Sequence, residues 1–217
     1  MGKITQKAQK ERALRIVEEL KNIYPEAICA LNWGGEPWKL LVMGRLSAQC
    51  TDKRVNIVCE ELFSVYPTAR ALADASLEEI EKIVRPCGLY KTKAASIKEA
   101  CAMLEDEFGG VLPDDMDTLL RFPGVGRKIA NLLLGDVHGK GSIVADTHCI
   151  RICGRFGFYD ETLKDPYKVE LIMSKYIPEA ERCDFCHRIV QFGRDTCTAR
   201  SPKCDICTIT ECKKNKK

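Results

Sequence analysis

The sequence predicts an all-α protein. Three observations carry this: apolar residues recur three and four apart while strict alternation is scarce, glycines and prolines close segments of helix length, and capping residues precede several of those segments. In 8–23, Leu14, Ile16, Val17, Leu20 and Ile23 form a stripe among Lys, Arg and Glu, and Pro25 ends the helix. Gly34, Gly35 and Pro37 break the chain before a very apolar helix, 38–48, interrupted by Arg45. A buried arginine needs a partner or solvent, so Arg45 reads as reaching either a substrate pocket or a salt bridge. Thr51 or Asp52 caps the next helix, which runs to Val65 before Pro67. Ser76 and Glu79 then make a capping box for one that stops near Pro86. A longer helix, 93–108, is closed by Gly109 and Gly110. A short one, 115–121, precedes a glycine run that a further helix follows to about 137. Asp146 stands as an N-cap before Thr147-His148-Cys149-Ile150. The lysine-rich end, 213–217, reads as a solvated tail.

The chain has 217 residues, 45% of them hydrophobic, and a net charge of +3, too small to identify a polyanionic partner by itself. No apolar signal opens the sequence and no stretch has the length of a membrane span, so a cytoplasmic location is expected, nucleoid-associated if the source is prokaryotic. In such a reducing compartment the 13 cysteines are not expected to form disulfides. Cys29, Cys50, Cys59, Cys87, Cys101, Cys149, Cys153, Cys183 and Cys186 read as small buried side chains, with Cys149 and Cys153 on one helical face. Cys197, Cys204, Cys207 and Cys212 are different, because their Cys-x6-Cys-x2-Cys-x4-Cys spacing is that of a metal site. Zinc and an iron-sulfur cluster both accept four thiolates; a single tight pair, Cys204 and Cys207, favours the cluster. Cys183 and Cys186 form another close pair that a zinc site would use.

Phe122-Pro123-Gly124-Val125-Gly126-Arg127-Lys128 joins two helices tightly. Its glycines allow a sharp turn and leave backbone N–H groups unobstructed where the helix dipole attracts an anion, and Arg127 and Lys128 add charge. A nucleic-acid phosphate suits such a grip, although a plain helix corner needs glycine too. A lysine that acts as a nucleophile must lose its proton, and the positive potential of Arg127 and of the helix start favours the neutral amine that Schiff-base chemistry uses.

Six motifs in order resemble the endonuclease III family within the helix-hairpin-helix DNA glycosylase superfamily. They are Leu46-Ser47-Ala48-Gln49-Cys50-Thr51-Asp52, Gly88-Leu89-Tyr90-Lys91-Thr92-Lys93-Ala94, the hairpin, Val144-Ala145-Asp146-Thr147-His148, Gly193-Arg194-Asp195-Thr196-Cys197, and the terminal cysteines. The resemblance implies two helical domains, 30–140 with the hairpin, and 1–29 with 141–217 carrying a C-terminal 4Fe-4S cluster on Cys197, Cys204, Cys207 and Cys212. The family's usual last cysteine gap is five residues; here it is four. Lys128 falls on the family's nucleophile and Asp146 on its catalytic aspartate, which would stabilise an oxocarbenium-like sugar. Gln49 and Leu89 fall where side chains fill the gap left by a flipped base. Lys91 and Lys93 would hold phosphates, as would Gly124, Val125, Gly126 and Arg127.

The implied activity is that of a monomeric bifunctional glycosylase and abasic-site lyase acting on damaged double-stranded DNA. It would remove oxidised pyrimidines through a lysine imine and break the strand by β-elimination. Two other readings stand beside it. A monofunctional adenine-type glycosylase ordinarily lacks the hairpin lysine, and a non-catalytic helix-hairpin-helix module would only hold DNA. On the residues alone, Lys128 also reads as a solvated or phosphate-contacting lysine, Asp146 as a cap, His148 as structural, Leu89 as core and Gln49 as surface.

Overall fold

The computed structural model describes residues 5–212, and within them the chain forms eleven α-helices and two short 3-10 helices, with no strand. The expected solvated tail, 213–217, lies outside the described residues. The chain divides into two units, Cys29–His138 and Met1–Ile28 with Gly139–Lys217.

The unit formed by both chain ends holds α1 (Gln6–Ile23), the helices after residue 146, and the cysteine loop. Thr5 caps α1 by accepting from the Ala8 amide at 3.3 Å, and Ala13, Ile16, Val17 and Leu20 point inward. These residues pack with the buried faces of α9 (Thr147–Phe156), α10 (Pro166–Tyr176) and α11 (Arg182–Asp195). Cys149 and Cys153 share one buried face of α9, as their spacing predicts. Close approach of α11 to α9 requires Gly193: a Cβ there would lie 2.5 Å from His148 Cδ2 and 2.8 Å from Ile152 Cδ1.

The central unit contains α2 (Pro37–Leu46), α3 (Asp52–Val65), α4 (Ala69–Asp74), α5 (Leu77–Val84), the 3-10 turn η1 (Arg85–Cys87), α6 (Tyr90–Phe108), α7 (Met116–Leu119) and α8 (Arg127–Asp136). Thr51 caps α3 and Ser76 caps α5 through side-chain oxygens, as the sequence signals indicate. The Glu79 carboxylate accepts from the Tyr66 hydroxyl at 3.1 Å. In α6, Ala94, Ile97, Ala100, Cys101 and Leu104 form the stripe around which α2, α4 and α5 pack. This helix starts three residues earlier than its periodicity suggests, at Tyr90, and ends at Gly109 in the left-handed conformation. Phe122 stacks on Phe108 at 5.3 Å between ring centroids and anchors the chain just ahead of the hairpin.

The candidate DNA-processing site and the cysteine loop

The hairpin between α7 and α8 is built around a type II turn. The Val125 amide donates to Phe122 O at 3.0 Å, Pro123 occupies the second position, and Gly124 the third with φ of +78°. Gly124 is also a close-approach position, because a Cβ there would meet Arg45 and would lie 2.9 Å from Ser96 Cβ. Val125 is buried and its amide closes the turn, so this residue braces the hairpin and offers no donor to a phosphate, contrary to the expectation from the sequence. Gly126 forms the N-cap of α8 without a side-chain hydrogen bond, and the space where its Cβ would stand is open to 4 Å. Arg127 and Lys128 follow in the first turn, Lys128 exposed.

Arg45 lies beneath this turn. Its Nε is buried with no hydrogen-bond partner among the described residues, and the side chain packs against the face where Gly124 lacks a Cβ.

Gln49 and Leu89 stand in two turns of the same unit, between α2 and α3 and between η1 and α6. Among the described residues they are the only non-glycine positions with positive φ, 53° and 48°. The left-handed conformation costs an L residue roughly 1 kcal/mol or more, and both side chains are nevertheless exposed, Leu89 by 59%. A core leucine this is not. Lys91 is exposed on the first turn of α6, whereas Lys93 is fully buried and cannot reach a phosphate, which corrects its expected role. Its Nζ donates at 2.8 Å to Leu46 O and at 2.8 Å to Cys87 O. Burial foremost, and the nearby Arg45 charge, push the Lys93 ammonium below the usual lysine range, while the Cys50 and Cys87 sulfurs pull it up. A signal for this burial exists in the sequence: Lys93 lies on the same i, i+4 line as Ile97 and Cys101.

In the other unit, Asp146 is the N-cap of α9. Its Oδ1 accepts from the Cys149 amide at 2.8 Å, and Oδ2 lies 3.1 Å from His148 Nδ1. The carboxylate is thereby fixed in orientation by its own helix, while its side chain keeps 14% of its surface open.

The cysteine loop follows α11. Cys197, Cys204, Cys207 and Cys212 all line one open cavity, with Phe156 and Phe192 also in its lining. Arg155 reaches in from α9, with Nη1 3.2 Å from Cys197 Sγ and 2.7 Å from Thr198 O, and Nη2 2.9 Å from Ala199 O. Ile209 is buried in the unit's core, Thr210 is bound to Glu19, and Glu211 pairs with Arg15 at 2.5 Å, so α1 holds the far end of the loop. Four cysteines lining one cavity, with an N–H aimed at one sulfur, suit a four-thiolate group. Cys186 takes no part, being buried with its Sγ accepting from the Val144 amide at 3.3 Å.

A glycine hairpin with an exposed lysine, two exposed side chains on left-handed turns, and a four-cysteine loop together define a helix-hairpin-helix protein built to handle DNA. The comparisons with known proteins agree. Residues 42–179 match the model of the HhH-GPD superfamily base excision DNA repair proteins, and residues 197–211 that of the iron-sulfur binding domain of endonuclease III. Endonuclease III of Synechocystis sp. is 40% identical over 203 residues, 93% of this chain and 91% of that protein. That of Escherichia coli K12 is 35% identical over 202 residues, 93% and 94% of the two chains. A solved non-covalent endonuclease III–DNA complex superposes with a TM-score of 0.89 at 38% identity, covering 95% of this chain and 96% of the other. A trapped endonuclease III–DNA covalent intermediate, an estranged-adenine complex, gives 0.88 at 38%, covering 95% and 97%. The chain belongs to the endonuclease III family, the bifunctional DNA glycosylases and abasic-site lyases of base excision repair that carry a 4Fe-4S cluster.

Among the described residues no helix is long and apolar enough to cross a membrane.

Proposed function

We propose that Lys128 is the nucleophile of this enzyme and that its substrates are oxidised pyrimidines in double-stranded DNA. The observation that carries this reading is the start of α8. An exposed lysine stands in the first helical turn, two residues after a glycine that neither caps the helix with a side chain nor fills the space in front of it. A phosphate held at Gly126 and Arg127 places the adjoining sugar beside the Lys128 amine.

In the first step the Lys128 nitrogen attacks C1′, and the bond from C1′ to the base breaks with its electron pair leaving on the base, which is protonated. After the nitrogen loses a proton, its lone pair expels O4′, the C1′–O4′ bond breaks and O4′ takes up a proton, which leaves an imine between Lys128 and the opened deoxyribose. Removal of a C2′ proton then expels the 3′ phosphate, breaking the strand, and water hydrolyses the imine to free the lysine. Asp146 stabilises positive charge on the sugar and assists the proton transfer from the lysine. Its fixed orientation at the start of α9 supports this role.

Gln49 and Leu89 fill the space vacated by the extruded base. Their exposure on left-handed turns supports this, since neither side chain belongs to the buried core. Lys91 and Arg127 contact phosphates. Cys197, Cys204, Cys207 and Cys212 hold the cluster, which when bound ties the loop into one body; Lys203 on that loop and Arg194 at the end of α11 meet the DNA backbone. Within the four-residue gap before Cys212, Ile209 is buried. The protein acts as a monomer in the cytoplasm.

Borohydride trapping tests the reading. Duplexes carrying an oxidised pyrimidine should give a stable protein–DNA adduct that is lost in Lys128→Ala, and duplexes carrying an adenine mispair should give none. An undiminished adduct in that variant sinks the nucleophile assignment, and adenine release without strand breakage favours a monofunctional enzyme. Iron content and visible absorbance test the cluster ligands: a colourless protein with stoichiometric zinc would overturn them.

A further inference from the structure

We propose that Lys93 is a positioning residue that locks the Gln49 and Leu89 turns to each other, so that the two side chains enter DNA as one rigid wedge. The inference rests on the reading of Gln49 and Leu89 as the gap-filling pair.

The two turns belong to different parts of the chain, α2–α3 and η1–α6, and each carries its wedge residue in a strained backbone conformation. Such residues persist only where surroundings over-determine them. Lys93 supplies that restraint. Its Nζ bonds Leu46 O, the last residue of α2 and three residues before Gln49, and Cys87 O, the last residue of η1 and two before Leu89. Both carbonyls belong to helix ends, where intrahelical donors run out, so one ammonium satisfies an acceptor from each turn.

The arrangement is costly in every other respect. Lys93 has no exposed surface, lies in the first turns of α6 where the helix dipole disfavours a cation, and has Arg45 rather than a carboxylate among its charged neighbours. A leucine or methionine on this face would pack into the same stripe as Ile97 and Cys101 without those penalties. What an apolar side chain cannot do is join the two carbonyls. The bridge therefore acts on the spacing of the wedge: with it, Gln49 and Leu89 are held in place before DNA arrives, and their ordering need not be met from binding energy.

The test separates wedge entry from chemistry. Extrusion is read from 2-aminopurine fluorescence beside the lesion in duplex DNA, and chemistry from borohydride trapping on a single-stranded abasic oligonucleotide, which has no stack to refill. In Lys93→Met the extrusion signal should fall at least tenfold while single-strand trapping stays within twofold of the parent. Lys93→Gln, which keeps a donor for one carbonyl, should fall between. Ile97→Val, a core change on the same stripe, should leave both readings intact. Leu89→Ala and Gln49→Ala should each lose extrusion; if neither does, the gap-filling reading itself fails. If they do and the Lys93 variants retain full extrusion, or lose both readings in parallel with Ile97→Val, the brace is overturned. In the unaltered protein, Lys91 should accept reductive methylation while Lys93 resists it. Ready methylation of Lys93 in the folded chain would overturn the bridge without any variant.

Discussion

Replacing Gly124 with alanine should destabilise the central unit through two separable terms. The first is conformational: φ of +78° is favourable for glycine and costs an L residue about 1 kcal/mol. The second is steric. A Cβ would lie 2.6 Å from Arg45 Cδ and 2.9 Å from Ser96 Cβ, closer than real Cβ atoms come, and overpacking of this kind costs about 1–3 kcal/mol. Gly124→Ala should therefore cost about 2–4 kcal/mol, read from the urea midpoint at unchanged m. Arg45→Ala removes one obstacle and leaves the other, so in that background the same substitution should cost about 1 kcal/mol less. Contacting residues couple in this way, whereas independent sites add to within about 0.5 kcal/mol. Strict additivity, or a cost below about 0.5 kcal/mol for Gly124→Ala alone, would refute the packing of Arg45 beneath the hairpin.

Three further outcomes follow from the same geometry. Gly126→Ala places a methyl in open space, so the urea midpoint should barely move while affinity for an abasic-site duplex falls tenfold or more; unchanged affinity would mean the start of α8 does not hold phosphate. Asp146→Ala should lose the α9 cap, about 1 kcal/mol, and almost all lyase activity, whereas Asp146→Asn should keep the cap and still lose activity; an active Asn variant would reduce Asp146 to a cap. Burial, with Glu105 adding to it, pushes the Cys101 thiol up to about 12, against an ordinary value of 9.0. The unfolded chain releases this proton near pH 9 while the folded chain keeps it, so stability is intact below that pH and falls as pH rises towards 12. From pH 9 to 10 the part of the loss due to Cys101 should be about 1 kcal/mol, beside that of other buried thiols such as Cys29, and Cys101→Ala should make the slope shallower by that amount; an identical slope in that variant would place the dependence elsewhere.

The helices whose ends carry chemical signals were legible in the sequence. Thr51, Ser76, Gly109 and Asp146 each mark a boundary through a side-chain oxygen or a left-handed glycine, and each does so in the folded chain. Helix α4 has six residues, too few for a period to emerge between Pro67 and Ser76. Helices α10 and α11 were also missed. In α11 the buried face includes Arg188, whose guanidinium is satisfied by Asp184 at 2.9 Å, so charge obscures the apolar stripe. Among the site residues, motif order located the hairpin, Asp146 and the four cysteines, which indeed gather round one cavity. The structure alone revealed that Val125 faces inward, that Arg45 lies under Gly124, and that Lys93 is a buried bridge. Each depends on a partner distant in the chain, and composition near the residue points the other way. Lys93 between Lys91 and Lys98 reads as one more surface charge until its place on the Ile97 line is followed.

The most direct test of the account is the location of the sugar. After borohydride reduction on an abasic-site duplex, nuclease and protease digestion should leave a deoxyribose remnant on a single peptide, and fragmentation mass spectrometry should place it on Lys128. A remnant on any other amine, including Lys91 or the chain's own N-terminus, would contradict the claim that the hairpin presents the nucleophile.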